Sequence, residues 1–234
     1  MMGTDCKQIG GRICHLMMQP HSRYLLIQMV DDHDLEELSA ELEIICRAGI
    51  PFSLCAVQVS DWFSDLSPWE AQPVFGKQAF GSGAGETLTF IETELIPAMY
   101  RLFEIESGTK KIIGGYSLAG LFALFAAYES SIFEGCAAVS PSVWFEGWDR
   151  YAEGHTFGAR FAYLSLGNRE EKTRNRQMAL VGERIRVQAE LLKKSGVQNI
   201  LEWNEGNHFQ KAGIRTGRGF EWLITNMNQT EQEG

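Results

Sequence analysis

Residues 110–120, Lys-Lys-Ile-Ile-Gly-Gly-Tyr-Ser-Leu-Ala-Gly, place one serine, Ser117, between an apolar run and a helical run. The apolar run is typical of a short strand, and the residues from Leu118 to Tyr128 are typical of a helix. A serine on such a tight turn holds its hydroxyl clear of the sheet, and the helix N-terminus offers the backbone N–H of Leu118 to an oxyanion. The spacing therefore predicts a nucleophile elbow with Ser117 as the nucleophile.

The predicted elbow requires small residues beside the serine, because the turn brings the strand and helix backbones close together. Gly115, Ala119 and Gly120 meet that requirement. Ala119 stands where the usual pattern, G-x-S-x-G, has its second glycine, and one methyl group is tolerable there. The alternative interpretation is an ordinary Gly-Ser turn of an α/β protein. The strand before Ser117 and the helix after it favour the elbow.

A serine hydroxyl is a weak nucleophile until an imidazole removes its proton, and that imidazole needs an acid to orient it. In chains with a nucleophile elbow the acid follows a later strand, and the histidine follows the last one. Here the last predicted strand, 199–203, leads into a loop that carries His208. We therefore predict His208 as the base. The histidines expected on the surface or in the core are His15, His21 and His155.

The acid is sought after the predicted strand 161–166, which ends in Gly167-Asn168-Arg169-Glu170-Glu171. A carboxylate three residues past that glycine is the usual placement, so Glu170 is our first choice and Glu171 the second. Acidic residues also favour the N-terminus of a helix, which is the alternative explanation of both. A Ser–His dyad without an effective acid also stays open.

An oxyanion needs a second N–H donor, which is expected from the loop after the predicted strand 23–30. We take the backbone N–H of Asp32 as that donor, although the loop lacks an H-G-G pattern. His33 either reaches the site or caps the following helix together with Asp32 and Asp34. Both interpretations stay open.

The elements that must position these residues alternate between strand-like and helix-like runs, which predicts a mostly parallel central sheet with helices on both faces. Beside the elbow, strands are predicted over 12–18, 23–30, 51–59, 135–139, 161–166 and 199–203. Helices are predicted over 34–48, 86–103, 172–194 and 209–226. The segment 60–85 is expected to be a long irregular loop, and a loop of that length in a compact domain is usually functional.

The length of the chain indicates its domain number, and its charge excludes some classes of partner. Its 234 residues with 44% hydrophobic content suit one α/β domain spanning 1–234. The formal net charge of −9, without any run of Lys or Arg, argues against nucleic-acid and membrane-surface partners. The N-terminal residues do not resemble a signal peptide, so we expect a cytoplasmic protein.

The cysteines argue against a metal centre or a disulfide framework. The chain has five, at positions 6, 14, 46, 55 and 136, and none are in C-x-x-C spacing. An odd, scattered set is typical of free thiols. We expect neither a metal nor a cofactor.

Four segments, one of them the elbow, resemble the putative-esterase branch of the α/β-hydrolases, a group that includes enterochelin-type siderophore esterases, S-formylglutathione hydrolases and feruloyl esterases. The segments are Asp65-Leu66-Ser67-Pro68, Glu94-Leu95-Ile96-Pro97, Gly115 to Gly120, and Ser140-Pro141-Ser142-Val143-Trp144. The last is most similar to the siderophore-esterase relatives. The resemblance implies an α/β-hydrolase fold and a triad of Ser117, His208 and Glu170. The chain departs from the pattern at Ala119 and in the loop 30–33.

Aromatic residues are expected around the pocket, because a flat apolar wall suits a planar or bulky substrate group. The residues assigned to it are Tyr116, Trp144, Trp148 and Trp62, with core packing as the alternative for each. The chain is too short for a separate lid domain, so the pocket should be open.

The expected function is a cofactor-free serine esterase that acts on a small-molecule ester through an acyl-enzyme. A non-catalytic binding protein of the same fold is the alternative from another class, and a thioesterase or peptidase is the third. The presence of serine, acid and histidine in the expected order favours an enzyme over a binding protein.

Overall fold

One eight-stranded sheet organises the chain, in the strand order β1-β2-β4-β3-β5-β6-β7-β8. The computed structural model describes residues 4–103 and 105–233. The strands are β1 Asp5–Ile9, β2 Arg12–Met17, β3 Tyr24–Val30, β4 Phe52–Gln58, β5 Lys110–Tyr116, β6 Phe133–Val139, β7 Phe161–Gly167 and β8 Gln198–Asn204. The two pairs that involve β2 are antiparallel, and all other pairs are parallel.

Helices cover both faces of this sheet, as the alternating sequence pattern predicts. They are α1 Asp32–Ile45, α2 Trp62–Asp65, α3 Ala84–Phe90, α4 Ile96–Phe103, α5 Leu118–Glu129, α6 Trp148–Gly154, α7 Val181–Lys194 and α8 Ala212–Glu233. Helices α1 and α8 pack on one face with one buried apolar cluster. The elbow helix α5 and helices α3, α4 and α7 pack on the other face with a second cluster. Central strands such as β3, which is buried at every residue, are apolar because both their faces are covered.

The parallel strands bring the loops of interest to one edge of the sheet. The loops after β3, β5, β6, β7 and β8 all leave the carboxyl ends of parallel strands. That edge is where open α/β sheets bind ligands. Within the described residues, the connection from β6 to β7 contains α6 as its one helix.

Two predicted helices differ from the structure. The predicted helix 172–194 begins only at Val181, because the Asn175 side chain accepts hydrogen bonds from the N–H groups of Gln177 and Met178 and holds a turn instead. The helix predicted over 86–103 includes a π-helical turn, Ile91–Leu95, just before Pro97. A proline ring clashes with the carbonyl four residues back, and a wider turn relieves that clash. The sequence analysis also did not predict three elements: the exposed edge strand β1, the short helix α2 within the segment 60–85 that was expected to be irregular, and α6.

The remaining predicted bounds differ by a few residues at element ends, with the largest shift in the closing helix. It was predicted over 209–226 and occupies Ala212–Glu233. No described helix is both long enough and apolar enough to cross a membrane.

A buried carboxyl on α1 gives the folded state a dependence on pH. Glu41 is buried beside Gln28, whose Nε2 donates to Glu41 Oε1 at 2.9 Å. Burial raises the pKa of Glu41 from 4.5 to about 8. A raised carboxyl pKa means that the folded state binds the proton more tightly than the unfolded state does. The contribution of Glu41 to stability is therefore full below pH 4.5 and is lost as the pH rises towards about 8.

Glu41→Gln should remove this loss, since an amide does not ionise. We expect the thermal midpoint of the variant, relative to wild type, to rise between about pH 5 and about pH 9. Thermal unfolding followed by circular dichroism measures it. Glu43→Gln, at an exposed position of the same helix, is the matched control and should follow wild type. A difference between Glu41→Gln and wild type that does not change with pH would contradict the prediction.

Candidate active site

Ser117 lies in the tight turn between β5 and α5, with φ +59°. A non-glycine residue in this left-handed region is rare and strained, and such residues cluster at functional sites. The turn brings two backbones together at Gly115, where a Cβ atom would lie 2.7 Å from the Ala119 carbonyl carbon. This contact explains why only a glycine fits before the turn. The sequence therefore folds here as an elbow that presents the Ser117 side chain at the carboxyl edge of the sheet.

His208 reaches Ser117 from the loop after β8, and Glu170 reaches His208 from the loop after β7. The Nε2 atom of His208 lies 2.9 Å from Ser117 Oγ. The Nδ1 atom lies 2.7 Å from Glu170 Oε2. A carboxylate beside Nδ1 favours the proton on that nitrogen, which leaves Nε2 to accept the hydrogen bond from the Ser117 hydroxyl. This geometry allows a proton to pass from Ser117 to His208 while Glu170 stabilises the imidazolium.

Glu170 is buried, and three donors share its second oxygen. Glu170 Oε1 accepts from the Gly167 N–H at 2.7 Å, from Ser140 Oγ at 2.8 Å and from Arg215 Nη1 at 3.0 Å. Burial by itself raises the pKa of Glu170, but the hydrogen bonds from His208, Ser140 and Gly167 outweigh it and hold the pKa below its ordinary value. Glu170 is therefore an anion at neutral pH.

Glu171, the second choice for the acid, points away from His208. Its Oε2 accepts from Arg186 Nη1 at 3.3 Å, on α7. Gly167 lies between the acid and the histidine loops, and a Cβ there would meet the Gly206 carbonyl oxygen at 2.7 Å and Glu170 Oε1 at 2.8 Å. The close contact of the two loops explains why the acid follows a glycine.

Arg215 is a site residue that sequence reasoning missed. It lies on α8, is 1% exposed and contacts both the acid and the histidine loop. Helical spacing gave no sign of this role, because Arg215 lies to one side of the apolar stripe that Ala212, Phe220 and Leu223 form on α8.

The predicted oxyanion donors have different surroundings. Leu118 is the first residue of α5, so its N–H has no acceptor within the helix and is free to donate to a ligand. Asp32 is the first residue of α1, and its carboxylate accepts from Gln58 Nε2 at 2.7 Å. It does not line either cavity that contains Ser117. Its two neighbours in the sequence, Asp31 and His33, both line the smaller of these cavities.

The alternative role proposed for His33, capping α1 with Asp32 and Asp34, needs correction. Asp31 is the N-cap, and its side chain and that of Asp34 each accept a hydrogen bond from the backbone N–H of the other residue. His33 is exposed and lies 3.8 Å from Glu36. It also lines the smaller cavity beside Ser117.

Two cavities meet at Ser117 and His208. The larger has a volume of about 380 Å³, and the smaller about 140 Å³. Apolar side chains dominate the larger one: Trp62, Phe63, Phe75, Phe80, Leu118, Trp144, Met178, Val181 and Phe209. Trp62 and Phe209 line both cavities, and Phe209 is 83% exposed at the rim. The chemical centre therefore lies between an aromatic pocket and a smaller, more polar one.

The aromatic residues assigned to the pocket from the sequence occupy three different places. Trp62 and Trp144 line the larger cavity. Tyr116 lines the smaller cavity, where its hydroxyl donates to the His208 carbonyl at 2.7 Å. Trp148 lies in the core instead, 2% exposed, with its indole N–H donating to Gln188 at 3.0 Å. The Trp148 ring packs against Tyr128 of α5, and its N–H binds Gln188 of α7, so it does not line the cavities at Ser117.

Metal ligands are not grouped in the part of the chain that the structure describes. No set of three or more His, Cys, Asp or Glu side chains is arranged there to hold a metal ion.

Comparisons with known proteins identify the fold. No protein-family model matches this sequence, and none of the curated protein sequences matches it either. An IroE-like serine hydrolase from Shewanella oneidensis superposes with a TM-score of 0.76 at 16% identity, over 95% of this chain and 80% of that one. Siderophore hydrolase EstA from Aspergillus nidulans superposes with a TM-score of 0.73 at 20% identity, over 96% and 95%.

A third structure, an enterobactin and salmochelin hydrolase called IroE, superposes with a TM-score of 0.60 at 17% identity, over 96% of this chain and 93% of that one. The structural neighbours are thus serine hydrolases and siderophore esterases, the group that the sequence motifs resemble. The likeness establishes the fold, and the predicted α/β-hydrolase fold is confirmed.

Proposed function

We propose that this protein is a serine hydrolase that cleaves carboxylic esters through an acyl-enzyme, with Ser117 as nucleophile, His208 as base and Glu170 as the orienting acid. The observation that carries the proposal is the hydrogen-bond chain from Glu170 through His208 to Ser117, which ends where two cavities meet. The likeness to serine hydrolases and siderophore esterases supports the same chemistry.

In the first half of the proposed reaction, Ser117 Oγ attacks the ester carbonyl carbon while His208 Nε2 takes the hydroxyl proton. The carbonyl oxygen becomes an anion, and the Leu118 N–H at the start of α5 donates to it. A second donor is proposed from the loop that contains Asp31 and Asp32. When the C–O bond to the alcohol breaks, His208 returns its proton to the departing oxygen, which leaves an acyl group on Ser117.

In the second half, water replaces the alcohol. His208 Nε2 takes a proton from the water as its oxygen attacks the acyl carbon. The bond to Ser117 Oγ then breaks, and the proton on His208 restores the hydroxyl. Because Glu170 stays ionised, it stabilises the imidazolium in both halves.

The walls and the size of the larger cavity favour a substrate with a flat apolar group beside the scissile bond. Aromatic walls favour planar groups, and a cavity of about 380 Å³ is in the size range of small-molecule sites. The solved neighbours include a siderophore hydrolase and an enterobactin and salmochelin hydrolase. We therefore propose siderophore esters, together with simple aryl esters, as the first substrates to test.

The experiment that tests the function is a set of hydrolysis rates over aryl, short-chain alkyl, long-chain alkyl and catecholate esters. The open site buries only part of a ligand, so a long flexible chain loses entropy without gaining matching contacts. We expect acetate and butyrate aryl esters to react much faster than esters with chains beyond roughly eight carbons. Inactivity on every ester while amides or thioesters react would replace this proposal with a peptidase or thioesterase.

Trp144→Ala should raise KM more than it lowers kcat for aryl esters. The ring packs edge-on against Phe75 and Phe80 in the wall of the larger cavity, so its loss removes contact area without touching the reacting atoms. Steady-state kinetics with p-nitrophenyl butyrate measure both constants. Trp203→Ala is the matched control, because Trp203 lies on β8 against Arg186. A lower kcat with an unchanged KM would contradict the assigned role.

A further inference from the structure

We propose that Arg215 is a positioning residue for the hydrolysis: it ties Glu170 to the loop that carries His208 and offsets the charge of Glu170. This inference rests on the proposed function, because it concerns the same three residues. Arg215 belongs to α8, an element that supplies no group in direct contact with Ser117 among the hydrogen bonds described above. Its role is therefore to act through Glu170 and through the histidine loop.

The two ends of the guanidinium group contact different parts of the site. Nη1 lies 3.0 Å from Glu170 Oε1 and 3.1 Å from the Tyr116 hydroxyl. Nη2 donates to the carbonyl oxygens of Glu205 and Asn207, at 3.2 and 3.1 Å. One rigid planar group thus spans from the end of β7 to the residue immediately before His208. Lysine, a point charge on a flexible stem, does not reproduce that span.

This arrangement determines which oxygen of Glu170 faces the imidazole. Arg215, Ser140 and the Gly167 N–H all donate to Oε1, so Oε2 is left for His208 Nδ1. Both carboxylate and guanidinium are almost fully buried, with side chains 4% and 2% exposed. The buried cation offsets the charge of Glu170, while the hydrogen bonds from His208, Ser140 and Gly167 hold the pKa of Glu170 below its ordinary value.

Arg215 also limits the negative charge that His208 experiences. The titratable groups that face His208 from the surrounding elements are Glu170 after β7, Tyr116 on β5, Arg215 on α8, and Asp31, His33 and Asp34 around the start of α1. Arg215 is the fixed cation of this set. Its removal leaves the Glu170 charge without compensation, and a more negative surrounding holds the imidazolium proton more tightly.

The test is the pH dependence of the reaction between Ser117 and a fluorophosphonate, measured as a second-order rate constant beside kcat/KM for an aryl ester. For Arg215→Met we expect the acid limb of both profiles to move to higher pH by roughly one unit, because the base stays protonated longer. For Arg215→Lys the acid limb of both pH profiles should stay in place, because the positive charge is kept. Both rate constants should fall by roughly tenfold or more, because lysine does not bridge Glu170 and the loop that carries His208.

Arg218→Met is the matched control on the same helix. Arg218 is half exposed and pairs with Glu202 at 3.2 Å, so its removal should leave the acid limb where it is in wild type. Thermal unfolding of each variant shows whether it is folded at the assay temperature. If Arg215→Met does not fold, Arg215→Gln takes its place, since it also removes the charge, and the same shift is expected.

Three results would overturn the inference. In the first, Arg215→Met reacts more slowly but the acid limb of its pH profile does not move, which indicates a purely structural role. In the second, the acid limb of Arg215→Lys moves as far as that of Arg215→Met. The third is an Arg215→Lys enzyme as fast as wild type. Fluorophosphonate labelling does not need an ester substrate, so a wild type that is labelled but hydrolyses no ester refutes the proposed function while Arg215 is still tested.

Discussion

Ser117→Ala is expected to lower kcat for ester hydrolysis by roughly 10⁴ to 10⁶, the scale that loss of a serine nucleophile produces. The reason is geometric, because Ser117 Oγ is the hydroxyl 2.9 Å from His208 Nε2 at the junction of the two cavities. Without it, no acyl-enzyme forms, and only the oxyanion donors and substrate binding remain. Single-turnover and steady-state rates with p-nitrophenyl acetate measure the loss.

Fluorophosphonate labelling identifies the reactive serine directly. Wild type should carry one label, on the peptide that contains Ser117, and Ser117→Ala should carry none. Ser140 and Ser142 line the same cavity and are the serines that compete for this assignment. A label on either of them would show that the nucleophile lies in the loop after β6 and not at Ser117. A Ser117→Ala protein with the thermal midpoint of wild type excludes unfolding as the cause of inactivity.

Glu170→Gln is expected to lower kcat by roughly 10² to 10⁴, the second largest effect predicted for this protein. Glutamine keeps the shape of the side chain but does not stabilise an imidazolium at Nδ1, where Glu170 Oε2 lies at 2.7 Å. It also leaves Arg215 without its carboxylate partner in the core. The same steady-state assay measures the effect, and the reaction with fluorophosphonate should slow in parallel.

Glu171→Gln provides the matched control, since it makes the same chemical change at the adjacent residue. Its carboxylate pairs with Arg186 at the surface, so the substitution should cost little activity. If Glu171→Gln proves the slower variant, the role of the acid moves to Glu171. If both variants keep nearly the wild-type rate, His208 works without an acid and the site is a dyad.

The sequence predicted which three residues come together at the site, because each of them follows a strand and a turn that are visible in the local sequence. The small residues around Ser117 and the position of His208 after the last strand indicated two residues that lie in contact. The placement of Glu170 three residues past Gly167 indicated the third. Their catalytic roles remain predictions, which the experiments on Ser117 and Glu170 test.

What the sequence did not predict depends on contacts between distant segments. Arg215 lies 45 positions from Glu170 along the chain, and only the packing of α8 on the sheet brings them together. Trp148 was assigned to the pocket because it falls in a loop that was expected to border the pocket, but its ring is buried in the core. The bend at Asn175 arises from side chain to backbone hydrogen bonds that compete with a helix, so helical spacing gave no sign of it.

The left-handed backbone at Ser117 has a consequence for how the molecule tolerates change. A residue in such a conformation costs about 1 to 3 kcal/mol, and it persists only where the surrounding structure holds it. Here the holding element is α5, in which every residue from Leu118 to Tyr128 is buried. Substitutions that loosen this helix should therefore let Ser117 relax to an unstrained backbone and move its hydroxyl away from His208. Because α5 is buried along its length, the same substitutions should also lower the stability of the fold, so activity and stability are expected to fall together.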